Sequence, residues 1–417
     1  MKAPILWCLS PIGLGLYLTA IATAQQTAQF LPRNGASQFN ATTSQPRAAT
    51  SNSEAQVAAR GTTAVSQDLL AIYQQTRTVA DEAGVTAIAR ACSKVIPDNA
   101  RSRADRDYAA SLFAWALNRR GEMRNEQAAE LVEQGQVDQA SSLDIKAAKD
   151  FETALQYNDK NWRIHHNLAI SLAMKGDYVR AIKEFSAAID LNPEYPNSYF
   201  NRGELYFELA QYPQAMDDYT QAIALNATDP QYHNSRGHCR FMLQDFDAAL
   251  ADYQQACELG ADSAVYATDM ADAYQFLGRW EQATQSYRAA VAINAKYPRA
   301  YQNAAWLMAT CPDPKYRNVD LSLSAAKKVI ELTGERSSAA LDTLAAATAA
   351  MGKHREATEL QQEAIGLASQ DERAELQQRL ALYRQGESFV QPTQVTNIAA
   401  TSSSTSSRIR TASGSRR

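Results

Sequence analysis

Residues 162–195 read WRIHHNLAISLAMKGDYVRAIKEFSAAIDLNPEY, and the pattern of this stretch returns three more times downstream. Segments starting at Trp162, Pro196, Pro230 and Ala264 align without a gap at a spacing of 34 residues. Position 8 of the unit is Ala169, Gly203, Gly237 and Ala271. Position 20 is Ala181, Ala215, Ala249 and Ala283, and position 27 is Ala188, Ala222, Ala256 and Ala290. Position 24 is always aromatic: Phe185, Tyr219, Tyr253 and Tyr287. A period of this length identifies an array of helical hairpins. Two helices cross closely only where their contact points are small, and a ring beside them fills the remaining space. Each hairpin leaves one apolar face open for the next to cover. The expected fold is all-α, a right-handed α-α superhelix over residues 66–386 with disordered segments at both ends.

The columns resemble those of the tetratricopeptide repeat family. The unit at 162 carries that family's Leu168, Ala169, Gly176, Tyr178, Ala181, Phe185, Ala188 and Pro193. The next carries Gly203, Tyr206, Tyr212, Ala215, Tyr219 and Ala222. Arg202 and Arg236 depart from the usual apolar residue at position 7, and Pro196, Pro230 and Pro298 stand at position 1, where they stop the preceding helix. The resemblance is strong over 162–297, good over 298–370 and weaker over 66–161.

The expected organisation follows. Residues 66–104 form a divergent N-terminal hairpin with its turn near Gly84 and an apolar stripe of Leu69, Leu70, Ile72 and Tyr73. Residues 105–161 form a repeat with an insertion, its first helix ending near Gly121 and a turn near Gln134–Gln136. Regular repeats occupy 162–195, 196–229, 230–263 and 264–297. Residues 298–337 form a repeat with an enlarged turn, because CPDPKYRN holds two prolines close together. A further repeat spans 338–370, and a capping helix over 371–386 covers the last apolar face. The strings AWLMATCPDP and RLALYRQG look like those of a group of bacterial tetratricopeptide proteins with an enlarged turn near the C-terminus.

The ends read differently. Lys2, the apolar run from Ile5 to Ala22, and Ala22-Thr23-Ala24 make a signal peptide over 1–24, cut after Ala24. The expectation is therefore an exported protein, periplasmic or extracellular, with no stable membrane span once the signal is removed. The other reading is an uncleaved segment anchoring the chain in the inner membrane. Residues 25–65 are rich in Gln, Ala, Ser and Thr and have too few large apolar residues to offset chain entropy, so they read as a disordered leader. Residues 387–417 read as a disordered, basic, Ser/Thr-rich tail. Both ends carry net positive charge, so the overall −4 understates how acidic the repeat body is. An acidic body argues against nucleic acid as a ligand, since that affinity rests on Lys and Arg.

No catalytic constellation stands out. H-E-x-x-H, paired Cys at metal spacing and a Gly-rich phosphate loop are all missing, so neither metal nor cofactor is expected. His165 and His166 are adjacent on one helix and point about 100° apart. The acidic residues Glu184, Asp218 and Asp252 recur at position 23 and read as a solvated face of the second helix. Cys311, before Pro312, lacks an identifiable base and reads as a buried thiol.

In the family it resembles, positions 2, 5, 9, 12 and 13 of each first helix line an inner groove. Carried over one residue at a time, this implies groove contacts by Arg163 and His166, then Phe200, Glu204, Phe207 and Glu208. Further along it implies Asn234, His238 and Phe241, then Asp272 and Phe276. Such a surface suits a protein or peptide segment with basic and apolar residues; one of the chain's own Arg-rich ends is such a segment. A clamp for a C-terminal carboxylate is not expected, because its Lys, Asn and Arg positions hold His166, Ile170, Asn201, Gln231 and Ser235. The leading reading is a non-enzymatic scaffold that binds a segment in the groove. The alternative is an accessory or catalytic subunit of an envelope enzyme, with a site at the 298–337 turn.

Overall fold

The computed structural model describes residues 65–392. The expected signal peptide, all but the end of the expected leader and most of the basic tail lie outside the described residues. Among these there are seventeen α-helices and no strand. They divide into two compact units, one ending at Ala227 and the other starting at Thr228. The first holds α1 (Gln67–Thr76), α2 (Glu82–Val95), α3 (Arg103–Glu133), α4 (Val137–Leu155), α5 (Trp162–Met174), α6 (Tyr178–Leu191), α7 (Pro196–Glu208) and α8 (Tyr212–Leu225). The second holds α9 (Pro230–Met242), α10 (Phe246–Leu259), α11 (Ala264–Phe276), α12 (Trp280–Ile293), α13 (Pro298–Thr310), α14 (Val319–Thr333), α15 (Ser338–Ala350), α16 (His354–Leu367) and α17 (Arg373–Arg384). A 3-10 turn, Pro314–Tyr316, sits between α13 and α14.

Local signals set the helix starts. The Asn161 and Asp177 side chains accept from backbone N–H groups in the first turns of α5 and α6, and Pro stands in the first turn of α7, α9 and α13. Each of the four regular hairpins turns through a left-handed residue at position 15. Glycine fills it at Gly176 and Gly278, but Ala210 (φ 54°) and Gln244 (φ 65°) adopt the same conformation with a Cβ.

The repeat columns are the core. The Ala residues of positions 20 and 27 are 0 % exposed in all four regular repeats, and the position 24 rings are at most 3 % exposed. The position 8 glycines are needed for close approach: a Cβ on Gly203 would stand 2.8 Å from Tyr219 Cε1, and one on Gly237 2.9 Å from Tyr253 Cε1.

Several expectations are corrected. Gly121 does not end a helix; α3 runs straight through it. Its missing Cβ would lie 2.5 Å from Phe151, so Gly121 is the position 8 residue of this divergent repeat. The insertion therefore lengthens the helix beyond the crossing point. Gly84 lies in the first turn of α2, the turn proper being Arg77–Asp81, and Leu70 is exposed while Leu69 is buried.

Position 23 is not a solvated face. Asp218 and Asp252 are 5 % and 3 % exposed. Arg202 donates through Nε and Nη2 to Asp218 (2.8 and 2.7 Å), and Arg236 does the same to Asp252 (3.0 and 2.8 Å). Arg120 grips Asp150 identically in the divergent repeat (2.8 and 2.6 Å). The arginine at position 7 and the aspartate at position 23 are thus one unit, a bidentate pair that buries both charges by satisfying both.

The start of the C-terminal tail is also ordered. Beyond α17, residues 387–391 lie against α13 and α15, with the Phe389 ring 5.7 Å from that of Trp306.

Candidate functional site

In the first unit the expected groove residues separate into two sets. His166 and Phe200 are fully buried. His166 Nδ1 lies 2.9 Å from Ser198 Oγ, its ring edge against Phe185 and Tyr195, and Phe200 packs on Tyr219. Both are interior side chains and not open groove surface, because position 5 meets the neighbouring helices. Arg163, Glu204, Phe207 and Glu208 keep partial exposure. Arg163 stacks on Trp162, 4.6 Å from the ring centre. Glu204 accepts from Tyr219 Oη at 2.5 Å, and Phe207 sets its edge against Tyr212. Glu208, one helical turn beyond Glu204, is pushed up to about 7 by burial and by the Glu204 charge. Among the described residues Glu208 has no cationic partner. Met174 stands exposed at the end of α5.

In the second unit the polar groove residues converge. Asp269 of α11 is buried, accepts from Asn234 Nδ2 at 2.9 Å, and lies 3.4 Å from His238 Nε2 and 2.7 Å from Arg299. Asp272, one turn on, accepts from Tyr287 Oη (2.6 Å), Asn303 Nδ2 (2.7 Å) and Arg299 Nη2 (2.5 Å). Burial pushes both carboxyls up. At Asp269 the charges of Arg299 and His238 outweigh it and hold the group well below the usual carboxylate range; Asp272 stays raised. Arg299 is held firmly charged by the two carboxylates against its own burial. Asp272 is therefore a saturated anchor between hairpins, which corrects its reading as an open acidic point. Asn234 is buried with it. Phe241 is buried between Phe246 and Phe276, while Phe276 stays partly exposed.

Asp269, Arg299 and Asn303 escaped the sequence reading. A signal existed: position 6 is polar in five successive first helices, as Asn167, Asn201, Ser235, Asp269 and Asn303. In the first unit, Asn167 likewise reaches back to Asn118 and Glu122, at 3.0 Å each. At Asn167, Asp269 and Asn303, position 6 thus carries polar links from one first helix to another.

The enlarged turn is a structural device. Asn318 N–H donates to the Met308 carbonyl, Arg317 donates to the Cys311 carbonyl, and Asp313 caps the 3-10 turn. Cys311 is buried, and burial pushes its thiol up, opposite to what a nucleophile needs. The described residues hold no cluster of metal-ligating side chains, and none of their helices is long and apolar enough to cross a membrane.

Stacked hairpins with small residues at each crossing and side chains converging on the first helices define a helical repeat protein. The family described as "Tetratricopeptide repeat" matches residues 196–229, and that described as "TPR repeat" matches 171–210. The chain thus carries tetratricopeptide repeats, and repeats of this kind build protein-interaction scaffolds. Among solved structures it is similar to YrrB, described as a TPR protein with an unusual peptide-binding site. The two are 20% identical over 46% of this chain and 97% of that one, at a TM-score of 0.37. It is also similar to a tetratricopeptide repeat protein from Parabacteroides merdae, at 16% identity over 63% and 98% with a TM-score of 0.43. Yeast Tom70 is 17% identical over 73% of this chain and 59% of its own, with a TM-score of 0.44. Comparison with curated proteins gives no match.

Proposed function

We propose that the chain is a non-enzymatic interaction scaffold that holds a basic, partly apolar peptide segment against α5 and α7, in an exported compartment. The carrying observation is Glu208. A carboxyl pushed up to about 7 beside a second carboxylate, with no cation of its own among the described residues, is stabilised by an incoming Lys or Arg. Phe207, its neighbour on α7, and the exposed Met174, at the matching position 13 of α5, offer the apolar contact, and an aromatic ring flanked by charge carries more of the affinity than the charge does. The catalytic alternative draws no support from the enlarged turn, whose polar groups close the turn itself. Export rests on the N-terminal sequence alone.

A photocrosslinker at Met174 of the full chain, in its own cells, tests the surface. The adduct should vanish with Glu208→Lys, weaken with salt and survive Arg336→Glu in the other unit. Adducts indifferent to both Glu208→Lys and Phe207→Ala would remove this patch from consideration. Fractionation tests the compartment: the mature chain should start at Gln25 outside the cytoplasm, and a cytosolic chain retaining Met1 refutes export.

A further inference from the structure

The segment after α17 behaves as a bound peptide. It runs back across the ends of first helices, passing α15, then α13, then α11. Ser388 Oγ donates to the Ala349 carbonyl at 2.7 Å. Gln391 N–H donates to the Thr310 carbonyl, the last of α13, at 2.9 Å. Such terminal carbonyls lack an intrahelical partner and are open to an extended chain. Gln275 Nε2 of α11 donates to Gln391 Oε1 at 3.1 Å. Between these hydrogen bonds the Phe389 ring enters a cleft formed by Trp306 and Arg379. The guanidinium lies 5.3 Å from the Trp306 ring centre and 5.6 Å from that of Phe389.

Trp306, Thr310, Gln275 and Ala349 stand at positions 9, 13, 12 and 12 of their units, the positions that line the inner groove. Arg379 is fixed from behind by Asp342, at 2.9 Å. Arg379 is therefore positioned independently of the occupant, which touches the cleft through one ring and a few hydrogen bonds. Glu387, Ser388 and Val390 remain exposed.

We infer that the Trp306–Arg379 cleft with the Thr310 carbonyl and Gln275 is a second docking site, for an extended segment reading Phe-x-Gln. Residues 388–391 are its resident occupant. The ring supplies the aromatic anchor, the Gln backbone N–H meets Thr310, and its side-chain oxygen meets Gln275. A partner with this chemistry competes with the strap, and its apparent affinity is reduced by the fraction of molecules whose cleft is closed. The site shares no residue with the Glu208 patch and does not depend on it.

The test uses the full chain and a labelled peptide of residues 386–393, GESFVQPT, read by fluorescence anisotropy. Phe389→Ala removes the resident anchor; Gln391→Pro keeps the ring but deletes both the N–H that the Thr310 carbonyl accepts and the side-chain oxygen that accepts from Gln275. Both variants should bind the peptide at least about tenfold more tightly than the wild-type chain, since a cleft open in one molecule in ten binds tenfold more weakly. A peptide with Phe replaced by Ala should bind none of them. Should Phe389→Ala fail to fold, Gln391→Pro decides. Equal affinity for wild type and Gln391→Pro, no binding by either, or binding indifferent to the peptide's Phe overturns the inference. Because the crosslinking at Met174 uses other residues, the two readings stand or fall separately.

Discussion

Asp218→Ser should cost far more alone than together with Arg202→Met. Arg202 holds Asp218 through two hydrogen bonds and reaches Ser186 of α6 with Nη1 at 2.8 Å, so it also ties its hairpin to the preceding one. The side chains are 18 % and 7 % exposed. Removing the carboxylate strands a largely desolvated guanidinium, and breaking a buried pair costs about 3–5 kcal/mol; the residual exposure of Arg202 puts this case near about 3 kcal/mol. Arg202→Met strands the aspartate instead. Burial already pushes that carboxyl up in spite of Arg202, so it takes a proton and the cost is nearer about 2 kcal/mol. The same raised carboxyl means the pair is worth little net over an apolar substitute. The repeat at 264 shows the substitute, with Met270 and Ser286 at these two positions. The double variant should therefore lie within about 1 kcal/mol of wild type, a coupling of at least about 4 kcal/mol. Urea unfolding of all four chains at pH 7 gives the cycle, and hydrogen exchange over 162–227 locates the loss. Single-variant costs that simply add in the double variant would refute the argument.

Glu208→Gln tests the raised carboxyl. The folded state keeps the proton up to about 7, against an ordinary 4.5 when unfolded, so wild-type stability falls as pH rises through that window. The variant lacks this slope and should gain up to about 2–3 kcal/mol over wild type at pH 8 and nothing at pH 4; parallel pH profiles would refute it. Ala210→Gly and Gln244→Gly should each stabilise by about 1 kcal/mol in denaturant, because both residues hold a left-handed backbone. A loss, as for Gly in an ordinary helix, would contradict the turn geometry. Gly121→Ala should cost about 1–3 kcal/mol, since its Cβ would meet the fully buried Phe151 ring. Hydrogen exchange should loosen over 103–155 first, and an unperturbed variant would mean that Gly121 is not a crossing point.

The fold was legible because its determinants repeat. Small residues at positions 8, 20 and 27 and a ring at 24 are steric requirements of one helix crossing, and a requirement met four times at one spacing shows in the sequence without knowledge of any contact. Where the spacing broke, reading suffered: Gly121 looked like a helix end until Phe151 was seen against it. Among the groove residues, the sequence placed Glu204, Phe207 and Glu208 on one helix, but it assigned His166, Phe200 and Phe241 to the surface. Helical position sets the direction of a side chain, and only the neighbouring helices decide whether water reaches it. Charge shows the same division. Arg202 read only as a departure from an apolar position and Asp218, sixteen positions on, as part of a solvated face, and only the packed hairpin brings them to 2.7 Å and lets each be buried by the other. The strap over Trp306 was least legible of all, because a short polar tail has no periodicity. Its place is set by open carbonyls at the ends of distant helices, which exist as a row only once the repeats have stacked.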